Sequence, residues 1–327
     1  MLNEKSILIT GGTGSFGNAF VKYVLERYNP KKVIIYSRDE YKQSIMREKF
    51  KDKEDKLRFF IGDVRDKERL TRALDGVDYC IHAAALKQVP SCEYNPQEAI
   101  KTNIGGAQNV IDAALDTGVR KVVALSTDKA VGPVNLYGAT KLVSDKLFIA
   151  ANAYAGAKDI NFSIVRYGNV AGSRGSVIPF YQELIRQGAK TLPVTDSRMT
   201  RFWIGLTEGI ELVIRALDEA IGGETFISKI PSFHIEDLVQ AMLPGCETTL
   251  VGIREGEKLH EAMITMEDAP RTYEYEKHYV IYPQIVWSSS KKLIPTGTKV
   301  APDFVYSSET NQQWLSVEQI RTLIQAL

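Results

Sequence analysis

Two side chains in the middle of the sequence, Tyr137 and Lys141, have the types and spacing for acid–base chemistry on an alcohol. The segment from Asn135 to Lys141 predicts the start of a helix, and residues four apart share one helical face. A nearby ammonium lowers the pKa of a phenol, so Tyr137 can act as a base near neutral pH. The alternative is an inert surface helix, because this Tyr–Lys spacing often occurs by chance.

A second reactive pair, Asp128 and Lys129, follows the hydroxyl of Thr127. Oxidation of an alcohol needs only a Tyr, a Lys and a hydroxyl, whereas an added carboxyl and amine can serve a second reaction such as an elimination. Paired with each other, Asp128 would be ionised and Lys129 protonated, which are the wrong states for an acid and a base. We therefore expect them to be desolvated or to face different substrate atoms. The alternative is an exposed ion pair in a loop.

The elements that must hold these residues alternate between strand and helix. Strands are predicted at Ser6–Thr10, Lys32–Tyr36, Leu57–Ile61, Tyr79–His82, Lys121–Leu125 and Phe162–Arg166, with helical apolar spacing between them. This alternation predicts an α/β fold with a doubly wound parallel sheet. It ends after about Tyr167, where we expect a smaller C-terminal α/β lobe with helices at Leu206–Ala220 and His234–Met242 and a closing helix near Val317–Leu327. We place the domains at 1–170 and 171–327, and allow later segments to return to the first.

A glycine-rich turn joins the first predicted strand to the helix that follows, from Thr10 to Gly17. Gly11, Gly14 and Gly17 have the spacing that permits a tight turn, a close approach of backbone to a pyrophosphate, and helix-on-strand packing. The N-terminus of the helix offers free N–H groups and a partial positive charge to phosphates. Placed between strand and helix, the turn predicts the dinucleotide site of a Rossmann sheet. The further contacts expected there are Thr13, Ser15 and Phe16.

The dinucleotide is predicted to be NADP. Ser37 and Arg38 end the second strand, with Lys42 one helical turn later, and a cation there accommodates a 2′-phosphate. An acidic side chain would instead take the ribose 2′-hydroxyl, so Asp39 leaves NAD as the less favoured alternative. The remaining expected contacts are Asp63 and Val64 at the adenine, Ala83, Ala84 and Ala85 after the fourth strand, and Tyr137 and Lys141.

Composition excludes several classes of function. A net charge of +1 provides no global attraction to nucleic acid or to an anionic membrane. The three cysteines form no CxxC pair and the four histidines lack metal-ligand spacing, so we expect neither a disulfide framework nor a metal. The N-terminus does not resemble a signal peptide, and no apolar run is long enough to span a bilayer. We therefore expect a cytoplasmic protein without nucleic-acid or membrane partners.

Motifs along nearly the whole chain resemble those of one family, the inverting UDP-N-acetylglucosamine 4,6-dehydratases. These are extended short-chain dehydrogenase/reductases that open the pseudaminic acid pathway. In the first half the resemblance rests on Thr10–Gly17, Ser37–Glu40, His82–Lys87, Glu93–Pro96, Ser126–Ala130 and Asn135–Lys141. It continues through Arg166–Val170, Gly172–Ser176, Arg198–Trp203, Lys229–Ser232, Gly256–Glu261 and Lys299–Phe304.

The resemblance implies a redox-neutral cycle on UDP-N-acetylglucosamine through bound NADP. It assigns Tyr137 to the hydroxyl on carbon 4, Lys129 as the base at carbon 5, and Asp128 as the acid that helps water leave carbon 6. Reprotonation of carbon 5 from the other face would give UDP-2-acetamido-2,6-dideoxy-β-L-arabino-hexos-4-ulose. The family also implies a homo-oligomer. The implied substrate contacts, several of them cations suited to a diphosphate, are Lys87, Asn169, Ser173, Arg174, Val177, Arg201, Arg254 and Lys258.

Other interpretations stay open. A UDP-sugar 4-epimerase or a retaining dehydratase would share Tyr137 and Lys141, and a dinucleotide-sensing binding protein would have little need for both reactive pairs. The chain also departs from the family pattern at Gln88, Ser91-Cys92 and Gly132-Pro133, where His, Ile-Ala or similar, and Asn-Pro are usual. These segments flank the sugar site.

Overall fold

The computed structural model describes residues 1–172, 175–285 and 295–327, and within them the largest element is a ten-stranded sheet. From one edge its parallel strands are β3 (Leu57–Ile61), β2 (Lys32–Ser37), β1 (Ser6–Thr10), β4 (Tyr79–His82), β5 (Lys121–Thr127), β6 (Asn161–Tyr167) and β9 (Thr225–Ser228). Antiparallel strands β14 (His278–Ile281), β13 (Thr272–Glu274) and β15 (Thr298–Lys299) extend the other edge.

Helices cover both faces of this sheet. On one face lie α1 (Ser15–Arg27), α2 (Glu40–Lys49) and α9 (Leu206–Glu219), and on the other α3 (Lys67–Leu74), α6 (Gly106–Thr117) and α7 (Leu136–Tyr154). Successive residues of a strand point to opposite faces, so Ile7 and Ile9 pack on the first face and Leu8 on the second. Each such side chain, once fully buried, contributes about 1.5–3 kcal/mol to folding. Burial on both faces explains the continuous apolar runs of the central strands.

The strand order creates a crevice where the active site belongs. The chain runs from β1 outward to β2 and β3, then crosses back to β4 on the other side of β1. In open α/β sheets ligands bind at such a reversal, beyond the carboxyl ends of the strands. The predicted doubly wound fold is confirmed; of the six predicted strands, β2 continues to Ser37, β5 continues to Thr127, and β6 runs from Asn161 to Tyr167.

The smaller elements of the second half pack in two apolar clusters, one that includes Trp203, Phe233 and Leu238 and one that includes Phe202 and Met263. Three two-stranded sheets pair β7 (Thr191–Val194) with β11 (Glu247–Leu250), β8 (Thr200–Phe202) with β10 (Ser232–His234), and β12 (Ala262–Ile264) with β16 (Tyr306–Ser307). The helices there are α8 (Val177–Arg186), α10 (Ile235–Met242) and α11 (Val317–Gln325).

Short helical turns connect the larger elements. They are α4 (Val89–Tyr94), α5 (Pro96–Ile100), a π-helical turn at Lys101–Gly105, and 3₁₀ turns at Lys51–Lys56, Asp128–Ala130 and Ala269–Arg271. Strands β9, β13, β14 and β15 come from beyond residue 170 but join the large sheet, and the division into domains at that residue stays a prediction. No helix within the described ranges combines the length and the apolar character needed to cross a bilayer.

Candidate active site

The turn between β1 and α1, residues Gly11–Gly17, is hereafter the dinucleotide turn. Gly11 has a φ of +65°, and a Cβ there would lie 3.0 Å from the backbone of Ala84. A Cβ on Gly17 would collide with the carbonyl of Gly12. Gly14 is the N-cap of α1 and offers no side-chain cap, so the first N–H groups of the helix stay available to an anion. The turn therefore fits the pyrophosphate of a dinucleotide.

The adenosine end of the crevice is lined by charged residues that already contact one another. Asp39 caps α2 by accepting a hydrogen bond from the Lys42 N–H at 3.0 Å, and its carboxylate also pairs with the Lys42 amine at 2.5 Å. Arg38 lies 3.6 Å from Asp63, which in turn binds Arg65 at 2.7 Å. Asp39 is thus occupied as a helix cap, whereas the Arg38 side chain is about half exposed, at 56%.

The predicted catalytic helix, α7, is held tightly against the end of β5. Asn135 caps it by accepting from the Gly138 N–H at 2.8 Å, and Glu93 accepts from the Leu136 N–H at 2.6 Å. A Cβ on Gly138 would collide with the carbonyl of Lys129. This close approach packs the first turn of α7 onto the Asp128–Ala130 turn, and it places Tyr137 and Lys141 in the same cleft as Lys129.

The electrostatics of Tyr137 differ from those that the sequence suggests. Burial raises its pKa to about 12, while the charge of Lys129 and a hydrogen bond with Thr127 act in the opposite direction. The cation that does most to lower its pKa is therefore Lys129, not the expected Lys141. Burial also lowers the pKa of Lys141, against the charge of Asp145 one turn further along α7. The helical spacing of Tyr137 and Lys141 could not reveal a cation contributed by another element.

A cluster of Asp128, Lys129 and Glu261, hereafter the acid–base cluster, lies beside Tyr137. The Lys129 amine is 3.1 Å from the Asp128 carboxylate, 3.4 Å from that of Glu261, and 3.0 Å from the side-chain oxygen of Asn169. Burial lowers the pKa of Lys129, but Asp128 and Glu261 outweigh this effect and leave it raised. The pair is therefore not an exposed one, and Lys129 is stabilised as an ammonium.

Asp128 itself does not face the cleft. Its side chain is 1% exposed, because the 3₁₀ turn directs it inward, where it accepts a hydrogen bond from Thr127 at 3.0 Å. Glu261, which the sequence interpretation gave no role, does line the cleft and is 3% exposed. It stands just before β12, in a segment whose only local signal was the resemblance of Gly256–Glu261 to the family.

All the described residues predicted to bind cofactor or substrate line one cleft of about 1210 Å³. Ser173 and Arg174 lie outside the described residues. Two of the predicted cations are partly engaged: Arg201 donates to the backbone carbonyls of Thr200, Leu259 and Lys258, and Lys258 donates to the carbonyl of Val131. Arg254 lies on an exposed loop at the cleft. In the described part of the chain, no group of three His, Cys, Asp or Glu residues could hold a metal.

A Rossmann sheet, a dinucleotide turn and a Tyr–Lys pair in one cleft define a short-chain dehydrogenase/reductase. Residues 7–283 match the family described as polysaccharide biosynthesis protein, and the chain belongs to that family. It is 56% identical over 330 residues to a protein of Campylobacter jejuni (serotype O:23/36, strain 81-176) named UDP-N-acetylglucosamine 4,6-dehydratase (inverting), covering 99% of this chain and 98% of the relative. A Rickettsia prowazekii protein named UDP-glucose 4-epimerase is 39% identical, covering 100% and 97%.

Two solved structures support the same assignment of fold. Pen from Bacillus thuringiensis superposes with a TM-score of 0.90 at 37% identity, covering 100% of this chain and 99% of that one. The dTDP-glucose 4,6-dehydratase DesIV from Streptomyces venezuelae, solved with NAD and TYD bound, gives a TM-score of 0.69 at 25% identity, covering 78% and 86%.

Proposed function

We propose that this protein is a UDP-N-acetylglucosamine 4,6-dehydratase that inverts carbon 5. The observation that carries the proposal is the presence, in one cleft, of a Tyr–Lys pair for alcohol oxidation and of a separate acid–base cluster for elimination. An enzyme that only oxidises an alcohol has no use for the second group. The full-length similarity to the inverting dehydratase of Campylobacter jejuni supports the same reaction and substrate.

The residues divide the reaction between them. Bound NADP would accept hydride from carbon 4 and return it to carbon 6, so that no external reductant is consumed. Tyr137 takes the proton of the carbon 4 hydroxyl, and Lys129 is the base for the proton on carbon 5, which a ketone at carbon 4 acidifies. Thr127 hydrogen-bonds Tyr137 and thereby helps to stabilise the phenolate. The acid role of Asp128 stays a prediction, since this side chain would have to act from beneath the cleft surface.

NADP rather than NAD is supported by the charges at the end of β2. Arg38 is about half exposed just after β2, where a cation accommodates a 2′-phosphate, and Lys42, which pairs with Asp39, follows on α2. Asp39, the group that would favour NAD, is instead occupied by the N-terminus of α2.

The substrate is proposed to extend from the acid–base cluster toward the second half of the chain. Lys87, Asn169 and Val177 would contact the sugar, and Arg201, Arg254 and Lys258 the diphosphate and uridine. Burial and the charge of the neighbouring Lys129 both lower the pKa of the Lys87 amine. Because two amines lie close together there, an anion of the substrate would be attracted to this part of the cleft. Ser173 and Arg174 stay predicted contacts of the same kind.

One incubation tests the function. The purified protein is mixed with UDP-N-acetylglucosamine in deuterated water, without added reductant, and the product is followed by NMR. We expect a methyl group at carbon 6, deuterium at carbon 5, and the L-arabino configuration. Retention of the D-xylo configuration would show a retaining dehydratase, and a 4-epimer without a methyl group would show an epimerase.

The epimerase is the second candidate, because Rickettsia relatives of near-equal length carry that name. The buried cluster around Lys129 favours the dehydratase, since epimerisation at carbon 4 requires no base at carbon 5. We further propose a cytoplasmic homo-oligomer whose product enters pseudaminic acid synthesis; the free cysteines Cys80, Cys92 and Cys246 are compatible with a reducing compartment.

A further inference from the structure

The acid that protonates the departing hydroxyl must reach the substrate, and the two carboxyls of the acid–base cluster differ in this respect. Asp128 is fully buried beneath the cleft, whereas Glu261 lines it. Glu261 also stands on a different segment from Lys129, just before β12, and its carboxyl lies 3.4 Å from the amine. We propose that Glu261 is the acid that protonates the leaving hydroxyl, paired with Lys129 as the base. This inference rests on the dehydratase function proposed above.

Four charged groups face Glu261, one of them an anion and three of them cations. Asp128 and Lys129 come from the turn after β5, Arg201 from β8, and Lys258 from the loop before β12. Burial and the charge of Asp128 raise the pKa of Glu261, and together they outweigh the three cations. Its Oε2 atom is buried and accepts no hydrogen bond within the described residues, while the Lys258 amine lies 4.0 Å away.

A shared proton resolves the difficulty of the wrong charge states. With Lys129 as an ammonium and Glu261 as a carboxylate, the pair holds one proton and can perform neither role. Transfer of that proton from the Lys129 Nζ to the Glu261 Oε1 gives a neutral amine and a carboxylic acid in one step, at a cost in free energy because Asp128 and Glu261 hold the proton on Lys129. Coupled groups of this kind titrate as a pair, so the active form keeps a constant share over the pH range in which the pair holds one proton. Asp128 then acts through Lys129, as a positioning residue.

The elimination balances with these two groups alone. Once carbon 4 is a ketone, the neutral Lys129 takes the proton from carbon 5, and the electrons of that bond form the double bond between carbons 5 and 6. The bond from carbon 6 to its oxygen breaks, and the departing hydroxide takes the proton of Glu261 and leaves as water. Lys129 is again an ammonium and Glu261 a carboxylate, which is the starting state of the pair.

The test changes the leaving group. Wild-type protein, Glu261→Gln and Asp128→Asn are each given UDP-N-acetylglucosamine and its 6-deoxy-6-fluoro analogue. Fluoride needs far less help from an acid than hydroxide does. We therefore expect Glu261→Gln to slow the elimination about 10²–10⁴-fold with the hydroxyl substrate, and about tenfold or less with the fluoro substrate. Asp128→Asn should show the same deficit with both substrates, because it acts on the base.

Four further measurements separate this role from a structural one. Glu261→Gln should still oxidise carbon 4, seen as transient absorbance of reduced nicotinamide, and its elimination rate should not fall at high pH as that of the wild type does. Glu261→Asp, which keeps a carboxyl group, should recover part of the rate. If the Gln variant does not fold, the hydroxyl and fluoro substrates are compared with this Asp variant instead. Glu224→Gln removes another buried carboxylate, away from the cleft, and any deficit it shows should be equal for the two substrates.

Equal deficits of Glu261→Gln with the two substrates, or a deficit that shrinks with fluoride in Asp128→Asn instead, would overturn the assignment. If the wild-type protein makes no 6-deoxy-4-keto sugar from the hydroxyl substrate, the proposed dehydratase function itself is wrong. The two failures are thus distinguished by the wild-type reaction alone.

Discussion

The dinucleotide turn and the acid–base cluster both contribute residues to one cleft, and they are built by different means. The turn consists of consecutive residues whose function depends on backbone: Gly11 and Gly17 are required because a side chain would strike Ala84 or Gly12. The cluster consists of side chains from separate segments, and its properties arise from the charges that Asp128, Lys129 and Glu261 impose on one another. We therefore expect an added side chain to disrupt the dinucleotide turn, and the loss of a charged side chain to disrupt the acid–base cluster.

The largest effect is expected at the cluster, from Lys129→Ala. Removing the base should slow the elimination by at least about 10³-fold, since proton transfer by a positioned side chain contributes about 10²–10⁴-fold. Binding of NADP, measured by titration, should be unchanged, because Lys129 lies away from the dinucleotide turn. Lys101→Ala, at an exposed lysine that does not line the cleft, serves as the control. Full elimination activity in Lys129→Ala would refute the base assignment.

At the turn, Gly17→Ala should show the cost of a single added methyl group. The new Cβ meets the carbonyl of Gly12, and overpacking of this kind costs about 1–3 kcal/mol of unfolding free energy. Urea unfolding measures this loss, and titration should show weakened NADP binding. The matched control is Gly105→Ala, where a Cβ meets nothing within 4 Å and the helical backbone favours alanine. If both variants are equally stable, the turn does not require glycine at position 17.

Arg38→Ala tests the choice of dinucleotide. Loss of a charge-assisted contact to a 2′-phosphate costs about 1.5–3 kcal/mol, so affinity for NADP should fall about 10–100-fold. Affinity for NAD, which lacks that phosphate, should stay nearly constant, and Arg72→Ala on α3 should change neither. Parallel losses for both dinucleotides would mean that Arg38 does not distinguish them.

The smallest effect concerns His82, which supports the dinucleotide turn through a 2.9 Å contact between its Nδ1 and the Thr10 hydroxyl. Burial lowers the pKa of His82 to about 3. Between this value and its ordinary pKa, His82 is therefore protonated in the unfolded chain but neutral in the folded protein. The contribution of neutral His82 to stability is therefore fully present above about pH 6.5 and is lost as the pH falls. At pH 5 the free energy of unfolding should be lower by about 2 kcal/mol.

Urea unfolding at neutral pH and at pH 5 measures the His82 effect. Between neutral pH and pH 5, the free energy of unfolding of His82→Asn should fall by less than that of the wild type. That of His234→Asn, at an exposed histidine, should fall by as much as that of the wild type. An identical loss in the wild type and in His82→Asn would exclude His82 as the cause.

The sequence predicts the two regions to different extents, for the same physical reason. All six predicted strands of the first half and the dinucleotide turn follow from local patterns, because apolar runs and glycine spacing are properties of neighbouring residues. The antiparallel strands β13, β14 and β15 were not anticipated, since each is short and lies at one edge of the sheet.

In the cluster, the neighbouring Asp128 indicates from sequence that Lys129 is reactive. The sequence does not indicate that the Asp128 side chain points inward or that Glu261 lies beside Lys129. The first depends on the 3₁₀ turn at Asp128–Ala130, and the second on how the segment before β12 packs against that turn. Only the folded chain brings these segments together, and only then does Lys129 replace Lys141 as the main cation acting on Tyr137.

The central claim is that one cleft oxidises carbon 4, eliminates water, and reduces carbon 6 with the same hydrogen. UDP-N-acetylglucosamine carrying deuterium at carbon 4 tests it directly, with NMR and mass spectrometry of the product and no added reductant. We expect a methyl group at carbon 6 that carries one deuterium, with none left at carbon 4. A product that keeps deuterium at carbon 4, or a methyl group that carries none, would contradict it.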